Sequence, residues 1–259
     1  MPVVTFIGLG LNDENGLSLG GLEEARRAKS VFAEFYTNIM PNLDLKHLEA
    51  LVGKKITVLN RTELEERRGK KIFDASKSDD VAFLVSGDPL IATTHISLRL
   101  DLAKRGLQSR VIHAASITSA VCGATGLQSY KFGKSITVPA GRPLPRSVLD
   151  TISDNYDRGL HTLLLLDVMP GVERQLMIPD AVNQIIRANP KLEERLAVGV
   201  SRIGAKDELV KATRMKYLLK HDFGGPPHSL VLTGKLHFME AEALKVFCGA
   251  EDRDLENLP

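Results

Sequence analysis

An apolar segment that ends in a glycine turn constrains the fold of this chain more than any other feature. Residues Val81 to Val85 are all apolar and are followed at once by Ser86-Gly87-Asp88-Pro89. A strand that is apolar at every position is typical of a parallel sheet covered by helices on both faces. Ligands of such sheets bind at the carboxyl ends of the strands, which is where Asp88 lies. The Asp-Pro pair also predicts that Asp88 caps a helix over residues 90–104.

The N-terminus carries a second strand that ends in glycines. Val3 to Ile7 leads into Gly8-Leu9-Gly10, and glycines at such a turn let backbone groups approach a ligand closely. A dinucleotide-binding fingerprint needs a further glycine three residues after Gly10, but Asp13 stands there, so that pattern is broken. Because two strands each end in a glycine turn, we expect the two turns to face one crevice at the edge of the sheet.

Strand and helix patterns alternate along the chain, which predicts an α/β fold with two domains. The pattern restarts near residue 128, so we expect an N-terminal α/β domain over residues 1–128 and a C-terminal α/β domain over residues 129–259. The first domain should have strands over 31–36, 55–59, 81–85 and 109–113, and helices over 17–28, 45–52, 90–104 and from residue 117. The second should have strands over 134–138, 161–166, 196–201 and 228–233, and helices over 146–156, 179–188 and 239–247. The acidic tail over 251–259 should be frayed.

Composition and charge argue against several classes of protein. The 259 residues carry 34 basic and 32 acidic side chains, and a net charge of +2 gives no electrostatic basis for binding nucleic acid. No apolar stretch is long enough to cross a bilayer and no signal-peptide pattern is present, so we expect no membrane association and a cytoplasmic protein. The basic residues at 67–71 follow several glutamates and should form a solvated loop. Cys122 and Cys248 should be buried free thiols.

The motifs of metal-dependent and covalent catalysis are missing from the sequence. It contains no Walker loop, no G-x-S-x-G, no H-E-x-x-H and no paired CxxC. We therefore expect no metal site, and a reaction whose electrophile arrives already activated on a cofactor. His95 and His113 are candidate active-site residues, although a core or surface role is the simpler interpretation of each. No catalytic base is assigned, and His95 is a candidate for that role beside solvent.

A set of motifs spread over the whole chain resembles one family. The motifs are Phe6 to Glu14, Phe32-Ala33-Glu34-Phe35-Tyr36-Thr37, Gly87 to His95, His113 to Ile117, Tyr130 to Ser135, His161 to Leu164, and Pro226-Pro227-His228. Together and in this order they resemble the diphthine synthases, which belong to the tetrapyrrole-methylase-like class of S-adenosylmethionine-dependent methyltransferases. The run from Gly87 to His95 and the run from Phe32 to Thr37 are the most specific. The segment from Val168 to Met177 matches no motif of the family.

The resemblance implies a fold, a cofactor and a substrate. It implies a homodimer of two α/β domains with S-adenosylmethionine in the cleft between them and S-adenosylhomocysteine as product. The implied protein substrate is elongation factor 2 with an aminocarboxypropyl-histidine, whose amino group archaeal-type members trimethylate, while eukaryotic members also esterify the carboxylate. By position in the motifs, the implied cofactor-binding residues are Leu11, Asp88, Ile91, Ser116, Ile117, Leu166, Ile203 and His228.

Three other functions fit parts of the sequence. A methyltransferase acting on a tetrapyrrole would share the fold and cofactor, but no arginine-rich surface for an anionic macrocycle is recognisable. A nicotinamide-dependent dehydrogenase could use the turn at Gly8 and Gly10, with Glu34 as the acid that binds ribose, although the further glycine is missing. A protein that binds a translation factor without catalysis is the third alternative.

Overall fold

The structure is a computed structural model that describes residues 2–140, 143–169 and 174–256. The chain forms two compact units, residues 1–117 and residues 118–259. The domain boundary inferred at residue 128 falls inside the second unit and stays a prediction. The pattern that predicted two α/β domains is matched by one five-stranded sheet in each unit.

The first unit is built on a parallel sheet. Its strands are β1 (Val3–Gly8), β2 (Ser30–Glu34), β3 (Ile56–Val58), β4 (Val81–Val85) and β5 (Gln108–Ile112). They lie in the order β3-β2-β4-β1-β5, and every pair of neighbours is parallel. The carboxyl ends of β1, β4 and β5 therefore meet at one edge of the sheet. The parallel arrangement inferred from the apolar segment at 81–85 is confirmed.

Helices cover both faces of this sheet, as a strand without polar positions requires. The helices are α1 (Leu19–Arg27), α2 (Leu45–Val52), α3 (Lys70–Ala75) and α4 (His95–Lys104), and α5 (Ile117–Thr125) begins at the end of the unit. Alternate residues of β4 enter two separate cores: Ala82 and Leu84 pack with α1 and α2, whereas Val81, Phe83 and Val85 pack with α3 and α4. These two cores fix the strand whose end carries Asp88.

One prediction about the helices of the first unit is wrong, and the loop predicted for its charged segment is right only in part. The helix predicted over residues 90–104 begins only at His95, because Ala92 has a φ of 56° and breaks the helical path. The basic residues predicted to form a solvated loop are exposed, and residues 67–69 do form a turn. This turn is short, because a π-helical turn over Thr62–Glu66 precedes it and α3 begins at Lys70. The charges of α3 point outward, but Ile72 and Phe73 are buried in the core, which the charge pattern alone did not reveal.

The second unit contains a mixed sheet. Its strands are β6 (Ile136–Val138), β7 (Thr162–Leu166), β10 (Leu196–Ser201), β11 (Leu209–Arg214) and β12 (His228–Leu232), and β8 (Val168–Met169) pairs with β9 (Arg174–Gln175) as a separate hairpin. The order is β11-β10-β12-β7-β6, in which only β6 and β7 are parallel. Strand β11 was not predicted from the sequence; it lies at the edge of the sheet and mixes apolar and polar residues.

The helices of the second unit pack on this sheet. They are α6 (Arg146–Asp157), α7 (Ile178–Ala188), α8 (Met215–Leu218), α9 (Phe238–Cys248) and α10 (Asp252–Leu255). The expectation of a frayed tail is wrong up to residue 256, because Asp254 is buried and accepts a hydrogen bond from Thr213 Oγ1 at 2.9 Å. Residues 257–259 lie outside the described part of the chain. Cys248 is buried and Cys122 is half-buried, and both are free thiols. No helix within the described ranges has the length and hydrophobicity needed to cross a membrane.

Candidate functional site

The two glycine turns predicted to face one crevice are joined by hydrogen bonds. The amide of Gly87 donates to the carbonyl of Gly10 at 2.7 Å, and the amide of Gly10 donates to the carbonyl of Gly87 at 3.3 Å. Gly10 and Gly87 have φ angles of 81° and 70°, which few other residues adopt. The turn after β1 and the turn after β4 therefore form one continuous surface at the carboxyl edge of the parallel sheet.

The space that a side chain would have differs sharply between Gly8 and Gly87. A Cβ on Gly8 would lie 2.6 Å from both the Cβ of Ala114 and the carbonyl oxygen of Gly87, so this glycine permits close packing of three segments. A Cβ on Gly87 would meet no atom within 4 Å. Gly87 itself is buried, but the space beside its Cα is free of protein atoms and could admit a ligand atom.

Asp88 is buried at this turn with its carboxylate hydrogen-bonded. Oδ1 accepts from the amide of Leu90 at 3.0 Å, which makes a local turn. Oδ2 accepts from His113 Nδ1 at 2.7 Å and lies 3.4 Å from the amide of Ala114. Asp88 is therefore not a helix cap, as the sequence suggested, because α4 begins seven residues later at His95. Instead it links the turn after β4 to the segment after β5.

The other sequence-predicted residues of this unit lie on the same edge. Leu11 follows the Gly10 turn and is half-buried, while Ile91 follows the Asp88 turn and is 43% exposed. Ser116 is buried, and Ile117 is the first residue of α5, just after the segment that Asp88 contacts. The structure thus brings these four residues and Asp88 to one edge of the sheet.

The segment after Leu11 is fixed by a buried carboxylate of its own. Glu14 accepts hydrogen bonds from the amide of Asp44 at 3.0 Å and from His47 Nδ1, and Asn12 bonds with Asn42. Burial raises the pKa of Glu14, but hydrogen bonds from its own backbone, His47 and Asp44 outweigh burial and leave the pKa below its usual value. These contacts hold the loop that carries Leu11 in one position.

Two family motifs meet at a buried pair of titratable residues. His95 Nε2 lies 3.5 Å from Glu34 Oε1, and both side chains are at most 2% exposed. Glu34 accepts from the amides of Tyr36 and Thr37 at 3.0 and 3.1 Å, and His95 Nδ1 bonds with Thr93 Oγ1 at 2.6 Å. Burial raises the pKa of Glu34 and lowers the pKa of His95 to about 4.

Burial of this pair agrees with a core role for His95 and argues against two alternatives that the sequence left open. His95 is unsuited to act as the base, because its ring is enclosed and a base must come within hydrogen-bond reach of the proton it takes. Glu34 is equally unsuited to bind a ribose, because its carboxylate is enclosed and accepts bonds from its own loop. The dehydrogenase interpretation therefore loses the residue on which it relied.

In the second unit, both ring nitrogens of the predicted residue His228 have hydrogen-bond partners within the protein. Its Nδ1 accepts from the amide of Ile178 at 3.2 Å, so Nε2 carries the proton and bonds with the carbonyl of Gly225 at 3.0 Å. Burial lowers the pKa of His228 and favours this neutral form. The ring holds the start of α7 to the turn at 225–228, so any ligand contact of His228 must come from its backbone.

The backbone of His228 is joined to that of Leu166 by one side chain, Gln175. Gln175 Oε1 accepts from the amide of His228 at 2.5 Å, and Gln175 Nε2 donates to the carbonyls of His228 and Leu166, both at 3.0 Å. Ser229 pairs with Leu165, so these bonds lie at the next position of the ladder between β12 and β7. Leu166 and His228 are thus brought together at the end of two neighbouring strands.

Ile203, the third predicted residue of this unit, lies close in sequence to the same end of the sheet. Ser201 pairs with His228, and Ile203 follows two residues later with only 9% of its surface exposed. Arg202 fixes this turn, because its guanidinium bonds with the carbonyls of Phe223 and Gly225 at 2.6 Å and with Asp207 at 2.7 Å. The three predicted residues of the second unit therefore lie at the same end of the sheet.

Nothing in the sequence indicated one residue of these sites, and a second one was left undecided. Gln175 lies in the segment without a family motif, and only the folded hairpin brings it to Leu166 and His228. His113 was an undecided candidate, and its bond to Asp88 at 2.7 Å joins it to the first site. Within the part of the chain that the structure describes, no group of three or more His, Cys, Asp or Glu side chains could hold a metal ion.

Comparisons with known proteins give a consistent result. The family model described as Tetrapyrrole (Corrin/Porphyrin) Methylases matches residues 3–218. A diphthine synthase from Methanococcoides burtonii is 41% identical over 268 residues, which cover 99% of this chain and 100% of that protein. A diphthine synthase from Methanocella arvoryzae is 42% identical over 258 residues, covering 95% and 98% respectively. A crystal structure of diphthine synthase matches with a TM-score of 0.91 and 40% identity, covering 99% of this chain and 100% of that one.

Proposed function

Because the chain belongs to the tetrapyrrole methylase family and, within it, to the diphthine synthases, we propose that it is a methyltransferase of diphthamide biosynthesis. Its substrate is elongation factor 2 that carries an aminocarboxypropyl-histidine, and it trimethylates the amino group in the cytoplasm. The observation that carries this proposal is the match at 41% identity along 99% of the chain to a curated diphthine synthase.

We propose S-adenosylmethionine as the methyl donor. When bound, this cofactor supplies a methyl group on a sulfonium, which an amine can attack, and S-adenosylhomocysteine is the product. Features of both units support the assignment. The space beside Gly87 is free, the next residue Asp88 has a buried carboxylate, and Ile91 three residues later is exposed. In the second unit, backbone donors and acceptors of Leu166 and His228 are arranged to bind a flat amide-like group, as the Gln175 side chain demonstrates.

Each proposed cofactor-binding residue has a role that follows from its environment. Asp88 attracts the ammonium group or ribose hydroxyls, because its carboxylate is fixed by Leu90 and His113. Leu11, Ile91 and Ile117 provide apolar contacts, and Ser116 lies at the start of α5. In the second unit Leu166, Ile203 and His228 contact the adenine. The main task of such a site is to align two reactants and exclude water.

The amino group of the substrate must be neutral before it attacks a methyl group. The lone pair of the nitrogen forms the new C–N bond, and the electrons of the broken C–S bond stay on sulfur. We propose that solvent takes the proton that nitrogen loses, because Glu34 and His95 are enclosed in the first unit and reach no substrate. The enzyme then contributes alignment rather than a dedicated base.

We also propose that the protein acts as a homodimer and that α9 takes part in self-association. This helix exposes Phe238, Met239, Val246 and Phe247, each with 60 to 76% of its residue surface accessible. Apolar side chains clustered on one surface helix are typical of an interaction site. Light scattering coupled to size-exclusion chromatography should give a dimer mass, and the F247E variant should shift it towards the monomer. A dimer that F247E and V246E leave intact would exclude this face.

The enzymatic proposal is tested by mass spectrometry of the modified elongation factor. Elongation factor 2 with the aminocarboxypropyl-histidine, incubated with this protein and S-adenosylmethionine, should gain the mass of three methyl groups. A fourth methyl group would show that the carboxylate is esterified as well and would contradict trimethylation as the final step. No gain, with cofactor binding confirmed by calorimetry, would instead indicate a protein that binds without catalysis. Binding of NAD but not S-adenosylmethionine would overturn the assignment.

A further inference from the structure

Gln175 occupies the same hydrogen-bonding groups that the proposed site offers to the cofactor's base. Its carboxamide uses the amide of His228 and the carbonyls of His228 and Leu166, at 2.5, 3.0 and 3.0 Å. A primary amide nitrogen has two protons, and both are taken here. The side chain is 6% exposed, so these bonds are shielded from water. The backbone carbonyl of Leu166 and both backbone groups of His228 are therefore engaged.

The chemistry of a carboxamide matches one edge of adenine. In each, an sp² carbon carries an acceptor on one side and an NH₂ group on the other: the oxygen and nitrogen of the amide, or N1 and the 6-amino group of adenine. An adenine in the place of the carboxamide would accept from the His228 amide and donate to the two carbonyls. Hypoxanthine has the reverse pattern, with an acceptor at position 6 and a proton on N1. Its N1–H would face the N–H of His228, and its O6 would face the two carbonyl oxygens.

We propose that the Gln175 side chain is an internal competitor of the cofactor's base, which adenine displaces when it binds to Leu166 and His228. This inference rests on the proposed function, because it assumes that an adenine-containing cofactor uses this unit. On this inference, the site recognises the base through hydrogen bonds to N1 and the 6-amino group. In addition, displacement of Gln175 reduces the net free energy of cofactor binding. When the competent form is a minor fraction of the molecules, the apparent Kd rises in inverse proportion to that fraction.

A second carboxamide with the same local geometry offers a matched control. Asn155 accepts from the amide of Lys134 at 3.1 Å, donates to the carbonyl of Lys134 at 2.9 Å and donates to Thr162 Oγ1 at 3.0 Å. It is 5% exposed, so burial and bond count resemble those of Gln175. None of its partners is a proposed cofactor-binding residue. Removal of Asn155 therefore reports the structural cost of losing a buried carboxamide without removing a competitor.

The test is calorimetric titration of the full chain with S-adenosylhomocysteine and S-inosylhomocysteine. In the unsubstituted protein the adenosyl compound should bind more tightly by about 5- to 150-fold, the range measured for a well-formed pair of hydrogen bonds to a base. The Q175A variant should bind both compounds more tightly by one common factor, up to about tenfold, since the competitor is gone. The N155A variant should lower the melting temperature and leave both Kd values within twofold.

Other outcomes separate this inference from the proposed function. Tight binding of S-adenosylhomocysteine to the unsubstituted protein, with weaker binding to Q175A, would show that Gln175 supports the site and would overturn the inference alone. Failure of every variant to bind either compound would overturn both proposals. Equal affinity for the two compounds would show that the amino edge of the base makes no contact here, which would overturn the inference and leave the proposed function standing.

A measurement on the unsubstituted protein covers the case in which Q175A does not fold. The side-chain NH₂ resonances of Gln175, assigned in an isotope-labelled sample, should exchange slowly with solvent in the free protein because both protons are bonded. Saturation with S-adenosylhomocysteine should move them to the positions of an exposed amide and accelerate their exchange. Resonances that stay protected in the saturated complex would show that Gln175 is not displaced, which would overturn the inference.

Discussion

Gly10 and Gly87 donate a backbone hydrogen bond to each other, so the turns that follow β1 and β4 are held as one unit. Each turn alone is a weak signal in the sequence, since a glycine after a strand is common. Their pairing gives the parallel sheet a continuous backbone surface next to Asp88. The chemistry proposed for this edge depends on that pairing, because Leu11 and Asp88 belong to different turns.

Alanine at Gly8 should destabilise the protein more than alanine at Gly87. A methyl group at Gly8 meets Ala114 and a backbone oxygen at 2.6 Å, whereas at Gly87 it meets open space and adds only the strain of a positive φ. We expect G87A to lower the free energy of unfolding by about 1–2 kcal/mol and G8A by more, both measured by urea denaturation. G87A should also weaken cofactor binding, since its methyl group fills the open space beside Asp88. Equal stability losses would contradict the packing argument.

Substitution of Asp88 should affect cofactor affinity more than stability. D88A removes the acceptor of the Leu90 amide and the partner of His113, at a cost of about 1–2 kcal/mol in unfolding free energy. We expect the Kd for S-adenosylmethionine to rise at least tenfold in calorimetric titrations. H113A is the control that removes only the exposed partner and keeps the carboxylate, so it should raise the Kd less. A D88A variant with lower stability and unchanged Kd would assign Asp88 a purely structural role.

The buried pair of His95 and Glu34 predicts a specific pH dependence of stability. In the unfolded chain His95 takes up a proton near its ordinary pKa of 6.5, but in the folded protein only near pH 4. The unfolded state therefore binds more protons between these values, and stability decreases as pH falls from 6.5 to 4. A shift of this size corresponds to about 3 kcal/mol.

The H95Q variant isolates this contribution, because it removes the titrating group and keeps a polar side chain of similar reach. The difference in unfolding free energy between the unsubstituted protein and H95Q should be constant above pH 6.5. Between pH 6.5 and 4 it should shift by about 3 kcal/mol in favour of H95Q. Denaturant titrations at half-unit pH intervals measure it, and parallel curves for the two proteins would contradict the assignment.

The sequence predicted the parallel sheet well because its physical signal is local. The strand at 81–85 is apolar throughout, and each of its residues is found in one of two cores. The helix after Asp88 was predicted wrongly for a reason that sequence alone does not show. Asp88 turns its side chain to Leu90 and to His113, a residue 25 positions away, and these bonds replace the cap.

The second site could not be derived from the sequence because its key contact joins distant backbone groups. Gln175 is nine residues from Leu166 and 53 from His228. Its partners are backbone groups, which are the same for nearly every residue type, so the sequence does not show which of them bind Gln175. Leu166, Ile203 and His228 were named as cofactor-binding residues only from their positions in the family's motifs. The structure adds that the His228 ring is used internally, so that only its backbone can recognise a ligand.

A buried carboxylate in the second unit has a structural role that a substitution can reveal. Glu240 on α9 is fully buried and accepts from His161 Nε2 and the Gln128 amide at 2.9 Å, from the His237 amide at 2.8 Å, and from Lys131. Burial would raise the pKa of Glu240, but these hydrogen bonds outweigh burial and lower the pKa to about 2. The carboxylate therefore ties α9 to the segment at 128–131 and to the strand region at 161.

The E240Q variant should lose about 3–5 kcal/mol of unfolding free energy, because it leaves the Lys131 charge without a buried carboxylate partner. In addition, the NH₂ group of the new glutamine would face the N–H groups that now donate to Glu240. E242Q is the matched control, since Glu242 is exposed on the same helix and its change should stay within about 0.5 kcal/mol. The carboxylate stabilises the fold above its unfolded pKa of about 4.5, and that contribution should be lost as pH falls towards 2. E240Q should therefore show a shallower acid transition than E242Q. Equal stability of the two variants at pH 7 would exclude the proposed tie between α9 and Lys131.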